Sequence, residues 1–133
     1  MDKNSKIKAL FFDIDGTLVS FQTHRIPQST VEALEKAKQN GVKIYISTGR
    51  PIILITNLGQ IEHLIDGYIT TNGARCFVEN HTVCQCPILR SDVEKVIEAA
   101  DRDDYSVIVV GEKHLAIHHL TPVVEKIFVE GLG

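Results

Sequence analysis

The sequence predicts an α/β fold built around a parallel sheet. Two apolar runs, at residues 7–12 and 42–46, lack the helical period and have the length of buried strands, and a third run at residues 67–70 is read as a short strand. A segment with helical features separates each run from the next, and strands that alternate with helices are typical of a doubly wound parallel sheet. A polar cluster follows each run, at the end of the strand where such a sheet binds its ligands.

The helices between these strands are marked by proline, glycine and helical spacing. The first is expected after Pro27, with Leu34 on its apolar side, and Asn40-Gly41 supplies a left-handed end. Pro51 suits a first helical position and predicts a second helix. The apolar side of that helix would be formed by Ile52, Ile55 and Leu58.

From Arg75 the connections change from helical crossovers to hairpins. The remaining predicted elements are a hairpin at residues 76–78 and 82–86, a helix near Ser91, strands at 105–110 and 115–119, and an apolar segment from Pro122. Glu94 follows Ser91 at the spacing of a capping box, which predicts the start of the helix. We place a domain boundary near residue 80, so that residues 1–80 form the first part and residues 81–133 a smaller α/β part.

Charge and composition favour a small-molecule partner. The 133 residues carry a net charge of −3 with no run of basic residues, which argues against binding to nucleic acid or to an anionic membrane surface. No segment approaches the roughly 18 consecutive apolar residues that span a bilayer. The three cysteines, Cys76, Cys84 and Cys86, are odd in number. This favours reduced thiols and a cytoplasmic protein.

Two groups of histidine and cysteine residues raise the question of a soft-metal site. A C-x-C pair at residues 84–86 has His81 nearby but lacks the second pair of ligands that zinc sites show. The other group is His114, His118 and His119, in which the first two share a strand face but lie too far apart for joint ligation. We therefore interpret the first group as strand residues and the second as surface histidines.

The first polar cluster places Asp13 and Asp15 one residue apart at the end of an apolar strand. Two like charges there are costly unless a cation lies between them, so the pair indicates a metal, a phosphate or both. Thr-Gly-Arg at residues 48–50 follows the second strand, and Thr-Asn-Gly at residues 71–73 follows the third. Both clusters carry groups that are able to bind a phosphate or its metal. Ordinary turn and helix-cap roles are the alternative interpretation of these residues.

These motifs resemble those of the haloacid-dehalogenase-like (HAD) phosphatases. The D-x-D-G-T of residues 13–17 is similar to the first motif of the family, and the S-T-G-R of residues 47–50 is similar to the second. The T-N-G-A of residues 71–74 resembles the segment that precedes the cap in the Cof-type branch. The resemblance implies a HAD-like Rossmannoid core with a partial α/β cap of the C2 type (class IIB) inserted after the third strand.

The resemblance assigns catalytic roles to both acids. Asp13 would be the nucleophile that attacks phosphorus and becomes an aspartyl phosphate. Asp15 would protonate the leaving oxygen and later activate the attacking water. Mg²⁺ is the expected cofactor, held by the Asp13 carboxylate and the Asp15 backbone carbonyl, because it prefers oxygen ligands and bridges carboxylate to phosphate. Since alternation in a strand would send the two side chains to opposite faces, the chain is expected to bend at Gly16.

The later motifs would then hold the substrate. Thr48 offers a hydroxyl and Gly49 an unhindered N–H to the phosphoryl oxygens. Arg50 and Asn72 are expected to bind the substrate, Arg50 through a guanidinium fork suited to phosphate or carboxylate. The predicted function is a Mg²⁺-dependent phosphatase of small phosphorylated metabolites, with sugar phosphates the foremost class. The alternatives are a non-catalytic phosphate-binding module and a phosphomutase-type phosphoryl transferase.

Two parts of the family pattern are not found in the sequence: a lysine that pairs with the nucleophile, and an acidic pair that completes the Mg²⁺ site. Lys113 and Lys126 fall in the expected cap, and the acids at residues 101–104 precede a strand instead of following one. We therefore expect the chain to be the N-terminal portion of a longer phosphatase, truncated within the cap, with little or no turnover alone. Residues 7–12 would then form an exposed apolar edge, open to self-association or to a complementing chain.

Overall fold

The computed structural model describes residues 7–130. The chain divides into two compact units, Met1–Cys86 and Pro87–Gly133. Within the described residues, no helix is both long enough and apolar enough to cross a membrane.

In its described part, residues 7–86, the first unit contains a five-stranded sheet and one long helix. The strands are β1 (Ala9–Phe12), β2 (Lys43–Ser47), β3 (Gly67–Thr70), β4 (Arg75–Val78) and β5 (His81–Gln85). Their order in the sheet follows the chain, with β1, β2 and β3 parallel and β4 and β5 antiparallel to their neighbours. Helix α1 (Gln28–Gln39) connects β1 to β2. The predicted α/β fold around a parallel sheet is confirmed.

The predicted domain boundary near residue 80 falls inside this sheet. β4 pairs with β3, and β5 pairs with β4, so the hairpin belongs to the first unit. The units divide between Cys86 and Pro87 instead. The sequence indicates where helical crossovers give way to hairpins, whereas the hydrogen bonds across the sheet determine where the unit ends. The interpretation of the two parts as a core and a cap stays a prediction.

The core of the first unit fixes the position of β2. Val31 and Leu34 are the buried residues of α1, and Ile44 and Ile46 of β2 are fully buried. The rest of the cluster consists of Ile14, Leu18, Val19, Ile26, Leu58, Ile61 and Leu64. Because burying one such side chain is worth about 1.5–3 kcal/mol, this cluster holds β2 firmly in place. The polar residues that follow β2 are therefore presented from a rigid strand.

β1 is an edge strand with exposed apolar side chains. Phe11 is 58% exposed and stacks on Tyr45 of β2, with the ring centroids 5.0 Å apart. Ile7, just before the strand, is also exposed. The interpretation of this run as a buried strand is therefore wrong, and the expected exposed apolar edge is observed. Self-association through this edge stays a prediction, which sedimentation at increasing chain concentration would test.

The helix predicted to begin at Pro51 is not formed. Pro51 is extended (φ −68°, ψ 155°), and Ile52–Leu54 make a single 3₁₀ turn before Ile55 returns to extended backbone. A second 3₁₀ turn follows at Glu62–Leu64. Ile52, Ile53, Ile55 and Thr56 are branched at Cβ, which disfavours helix, and Leu58 anchors the segment to the core.

The second unit consists of a helix, a two-stranded sheet and a helical end. Its elements are α2 (Arg90–Asp103), β6 (Val107–Val110), β7 (Leu115–His118), α3 (Pro122–Val124) and a π-type helical segment (Glu125–Glu130). β6 and β7 pair antiparallel. The predicted capping box is wrong, because α2 begins at Arg90, one residue before Ser91, and no side chain caps it. Glu94 instead accepts a hydrogen bond from Arg90 Nε at 2.8 Å.

Asp66 ties the helix to the sheet in the first unit. Its carboxylate accepts hydrogen bonds from Lys38 Nζ at 2.7 Å and from Lys43 Nζ at 3.0 Å. It also accepts one from the Ile44 N–H at 2.8 Å, and its side chain is 13% exposed. Burial alone raises the pKa of Asp66, but the three hydrogen bonds outweigh burial and lower the pKa from 3.8 to about 2. The ionised carboxylate therefore stabilises the fold.

We predict that Asp66→Asn lowers the free energy of unfolding by about 2 kcal/mol at neutral pH. Because the folded-state pKa is the lower one, this contribution is complete above the ordinary pKa of 3.8 and is lost as the pH falls through about 2. Urea unfolding of both proteins at neutral pH and at several acidic pH values measures the difference. Asp92→Asn, at an exposed helix position, is the control. Equal stability of the wild type and Asp66→Asn at neutral pH would contradict the prediction.

Candidate active site

The three polar clusters meet at one edge of the first sheet, beyond the ends of β1, β2 and β3. A cleft of about 390 Å³ lies at this edge. Its lining residues are Asp13, Ser47, Thr48, Gly49, Ile69, Asn72 and Gly73. Four of the six predicted site residues thus line one cleft, and the other two, Asp15 and Arg50, form an ion pair with each other.

The chain leaves regular strand geometry directly after β1, and this turn positions the two acids. The Ile14 carbonyl accepts a hydrogen bond from the Val19 N–H at 2.9 Å. Gly16 has a φ of 78°, which glycine adopts without strain, and its N–H donates to the Val19 carbonyl at 2.9 Å. Ile14 is fully buried and anchors the backbone between Asp13 and Asp15. The predicted bend at Gly16 is confirmed.

Arg50 holds Asp15 in a two-pronged salt bridge. Arg50 Nε donates to Asp15 Oδ2 at 2.8 Å, and Arg50 Nη2 donates to Asp15 Oδ1 at 2.7 Å. Arg50 Nη1 donates to the Leu54 carbonyl at 2.9 Å, so all three guanidinium nitrogens are engaged. A bidentate pair of this kind fixes the orientation of the carboxylate and compensates its charge. The predicted contact of Arg50 with substrate stays a prediction.

The sequence contains a signal for this ion pair that local patterns do not reveal. In the parallel register of β1 and β2, Phe12 lies opposite Ile46. Asp15 lies three residues beyond the first position and Arg50 four residues beyond the second, so they extend from neighbouring strands to similar distances. Such a pair is identified by two opposite charges that lie at similar distances beyond the ends of neighbouring parallel strands. It becomes visible only when the strand register is known.

Thr48 is buried where the chain leaves β2. It is 6% exposed, its N–H donates to the Ile69 carbonyl at 2.9 Å, and its carbonyl accepts from the Asn72 N–H at 3.3 Å. Its hydroxyl oxygen accepts from the Arg50 N–H at 3.1 Å, which leaves the hydroxyl proton available to a ligand. The next helical turn follows Pro51 and has no side-chain cap, so the helix-cap interpretation of Thr48 is wrong. The hydroxyl closes a local turn instead.

Gly49 and Asn72 lie close together at the ends of β2 and β3. A Cβ atom on Gly49 would lie 3.0 Å from Asn72 Oδ1, which is tighter than ordinary van der Waals contact. Asn72 has a φ of 54°, in the left-handed region that asparagine tolerates better than most residues. The turn interpretation of Asn72 is therefore correct, and the residue also lines the cleft. Its contact with substrate stays a prediction.

The two acids differ in what compensates their charge. Arg50 neutralises Asp15. Among residues 7–130, no donor forms a hydrogen bond with the Asp13 carboxylate or with the Asp15 backbone carbonyl. A carboxylate oxygen and a carbonyl oxygen without donors are ligands of the kind that Mg²⁺ prefers. The residues present therefore fit the expected Mg²⁺ ion, with Asp13 and the Asp15 carbonyl as its protein ligands.

Fold and site define an α/β protein whose polar groups converge at the strand ends of a parallel sheet. The family model of haloacid dehalogenase-like hydrolases matches residues 10–129, and the chain belongs to this family. The resemblance that the sequence motifs indicate is therefore confirmed.

Solved structures and a curated relative support this assignment. The HAD subclass IIB sugar phosphatase BT4131 is 47% identical, with a TM-score of 0.87 over 94% of this chain and 49% of its own. The HAD phosphatase BT1666 from Bacteroides thetaiotaomicron is 35% identical, with a TM-score of 0.81 over 98% of this chain and 49% of its own. The 5-amino-6-(5-phospho-D-ribitylamino)uracil phosphatase YcsE of Bacillus subtilis (strain 168) is 30% identical over 65% of this chain and 34% of YcsE. The chain thus spans half or less of the length of these relatives.

Proposed function

We propose that the whole protein is a Mg²⁺-dependent phosphatase of small phosphorylated metabolites that forms an aspartyl phosphate on Asp13. The observation that carries this proposal is the state of the Asp13 carboxylate. It lines the cleft and has no partner among the described residues, whereas the neighbouring Asp15 is paired with Arg50. An anionic oxygen that no protein donor holds is able to attack phosphorus.

The proposed reaction has two steps. In the first, an Asp13 oxygen bonds to phosphorus while the bond from phosphorus to the ester oxygen breaks, and Asp15 gives that oxygen a proton. In the second, water attacks phosphorus, Asp15 takes the proton of the water, and the bond to Asp13 breaks to release inorganic phosphate. The Thr48 hydroxyl and the Gly49 N–H donate to the phosphoryl oxygens, where charge develops in both steps.

Arg50 has a positioning role in this proposal. By engaging both oxygens of Asp15, Arg50 keeps the carboxylate in one orientation. A protonated Asp15 can keep only one of these hydrogen bonds with its full strength, because the other oxygen carries the proton to be donated. Mg²⁺, when bound by Asp13 and the Asp15 carbonyl, supplies the positive charge that brings the anionic carboxylate and the phosphoryl group together.

Sugar phosphates are the substrate class that we propose first. BT4131, a sugar phosphatase, is 47% identical to this chain, and YcsE acts on a phosphorylated ribityl compound. We also propose a cytoplasmic location, supported by three free cysteines of which two are exposed. Exposed thiols of this kind persist in a reducing compartment.

A non-catalytic phosphate-binding module is the second candidate function. One observation favours it: no lysine is among the residues that line the cleft in the described part of the chain. Without a nearby ammonium group, the charges of Asp13 and a bound phosphate are poorly compensated. A phosphoryl transferase would use the same aspartyl phosphate but would pass the group to a second sugar in place of water.

Phosphate release from p-nitrophenyl phosphate and from a panel of sugar phosphates, with and without Mg²⁺, tests the proposal. We expect Mg²⁺-dependent release by a protein extended along the reading frame to include the lysine and the acidic pair, and little release by the 133 residues alone. If neither protein releases phosphate, the phosphatase proposal is contradicted and the binding module is favoured. Turnover by the short chain would contradict only the expectation that it lacks half of the site. Transfer to an added sugar would indicate the transferase.

A further inference from the structure

Three side chains in the second unit form a cluster with the composition of a metal site. Asp101 of α2 and the two histidines at the end of β7, His118 and His119, offer ligand atoms that all lie within 4.8 Å of one another. Asp101 Oδ1 lies 2.7 Å from His118 Nε2 and 2.8 Å from His119 Nε2. The sequence interpretation compared His114 with His118 along one strand, and it missed the cluster because the third ligand comes from a helix.

The backbone is shaped so that two neighbouring histidines face the same way. Consecutive side chains of a strand point to opposite faces. β7 ends at His118, however, and His119 takes a φ of 56°, which turns its ring to within 4.5 Å of the His118 ring between centroids. Ser106 Oγ donates to the His119 carbonyl at 2.6 Å and holds this turn. The two imidazoles are therefore placed by backbone geometry and not only by side-chain rotation.

We propose that Asp101, His118 and His119 bind a divalent transition metal ion of the zinc class through one carboxylate oxygen and two imidazole nitrogens. Three protein ligands leave one position of a tetrahedral ion open to water. With metal–ligand distances of about 2.0–2.1 Å, the ligand atoms of such a site lie roughly 3.3 Å apart. The observed separations of 2.7 Å and 2.8 Å differ from this value by about half an ångström. The two imidazole nitrogens lie within 4.8 Å of each other, so the ion would require all three side chains to adjust toward the common separation.

Zinc binding requires each ligating imidazole to free the lone pair of its Nε2 atom. In the metal-free cluster a hydrogen lies between each contacting imidazole nitrogen and the Asp101 oxygen, whereas a coordinated nitrogen must present its lone pair. Asp104 Oδ1 lies 3.7 Å from His119 Nδ1, where in the metal-bound state it would favour the tautomer that keeps the hydrogen on Nδ1 and leaves the Nε2 lone pair to the ion. A carboxylate behind a ligating histidine is a frequent feature of metal sites. In a neutral imidazole the Nε2 hydrogen leaves and Nδ1 takes up a hydrogen from solvent, so coordination changes the tautomer and releases no net proton.

The competing interpretation is a pair of histidine–aspartate hydrogen bonds without any ion. Hydrogen bonds from His118 and His119 lower the pKa of Asp101, and they link α2 to β7 by themselves. The cluster also differs from the proposed Mg²⁺ site in the type of ligand. Mg²⁺ prefers oxygen ligands, whereas zinc accepts imidazole nitrogen. A bound zinc ion would join α2 to β7 more strongly than the hydrogen bonds do.

Calorimetric titration of metal-stripped chain with Zn²⁺ tests this site. The background is Cys84→Ser/Cys86→Ser, because Cys84 Sγ and Cys86 Sγ lie 3.8 Å apart and thiolates also bind zinc. We expect one zinc ion per chain at this site, unaffected by excess Mg²⁺. Asp104→Asn removes a residue behind a ligand and should weaken binding by about 10–100-fold. His118→Gln or His119→Gln removes a ligand itself and should weaken binding by more than that.

The control variant is His114→Gln, which removes an exposed histidine outside the cluster and should bind zinc like the background. Imidazole ¹⁵N NMR of the background chain gives a second readout that does not depend on variants. Zinc should shift the Nε2 signals of His118 and His119 and leave those of His114 unchanged. The proposal would be overturned if the background chain, which lacks the two thiols, did not bind zinc. It would also be overturned if zinc binding persisted in His118→Gln and His119→Gln.

Discussion

Asparagine in place of Asp13 is expected to lower phosphate release by the extended protein by roughly a thousandfold or more. The amide has the shape of the carboxylate but no anionic oxygen to attack phosphorus, so no aspartyl phosphate forms. Asp13 has no hydrogen-bond partner among the described residues, so the substitution leaves no protein group unpaired. Turnover should therefore be lost while thermal unfolding stays unchanged.

Two measurements separate loss of the nucleophile from loss of the fold. After acid quenching during turnover, mass spectrometry should find a phosphoryl group on the peptide that contains Asp13 in the wild type and none in Asp13→Asn. Asp92→Asn is the matched control, because Asp92 is an exposed acid on α2 whose partner is Lys95, and it should keep full activity. An Asp13→Asn protein that retained most of the wild-type turnover would contradict the assignment.

The parts of the fold and the site that the sequence predicts correctly are those with a local signal. β1, β2 and β3 are apolar runs that end at turn residues, and a parallel sheet must bring the ends of such strands to one edge. Asp13, Thr48 and Asn72 stand at these ends, so topology alone predicts that they line one cleft. No knowledge of side-chain packing is needed for this step.

The features that the sequence does not predict depend on contacts between distant segments. The fork between Arg50 and Asp15 requires the register of two strands. The cluster around Asp101 requires a helix residue to meet two histidines turned by a positive φ. The helix expected after Pro51 is not formed, for a related reason. Its start signal is local, whereas packing against the core leaves the segment as turns and extended backbone.

Asp15→Asn should lower turnover of sugar phosphates by about 10²–10⁴-fold, the usual contribution of a general acid or base. A sugar alkoxide leaves poorly without a proton, and asparagine has none to give. The substitution also removes one of the two acceptor oxygens that Arg50 engages, so part of the loss would come from misplacement of the side chain. Steady-state kinetics of the extended protein on a sugar phosphate measures the total loss.

Comparing two leaving groups distinguishes proton donation by Asp15 from the positioning of Asp15 by Arg50. p-Nitrophenolate departs without a proton, so Asp15→Asn should still form the aspartyl phosphate from p-nitrophenyl phosphate, whereas the water step remains slow. The expected result is a stoichiometric burst of p-nitrophenolate followed by slow turnover. Arg50→Lys keeps the carboxyl group and one positive charge but breaks the fork, so its loss should be smaller and should show no burst. Equal losses in the two variants on both substrates would mean that Asp15 acts only through its place in the ion pair.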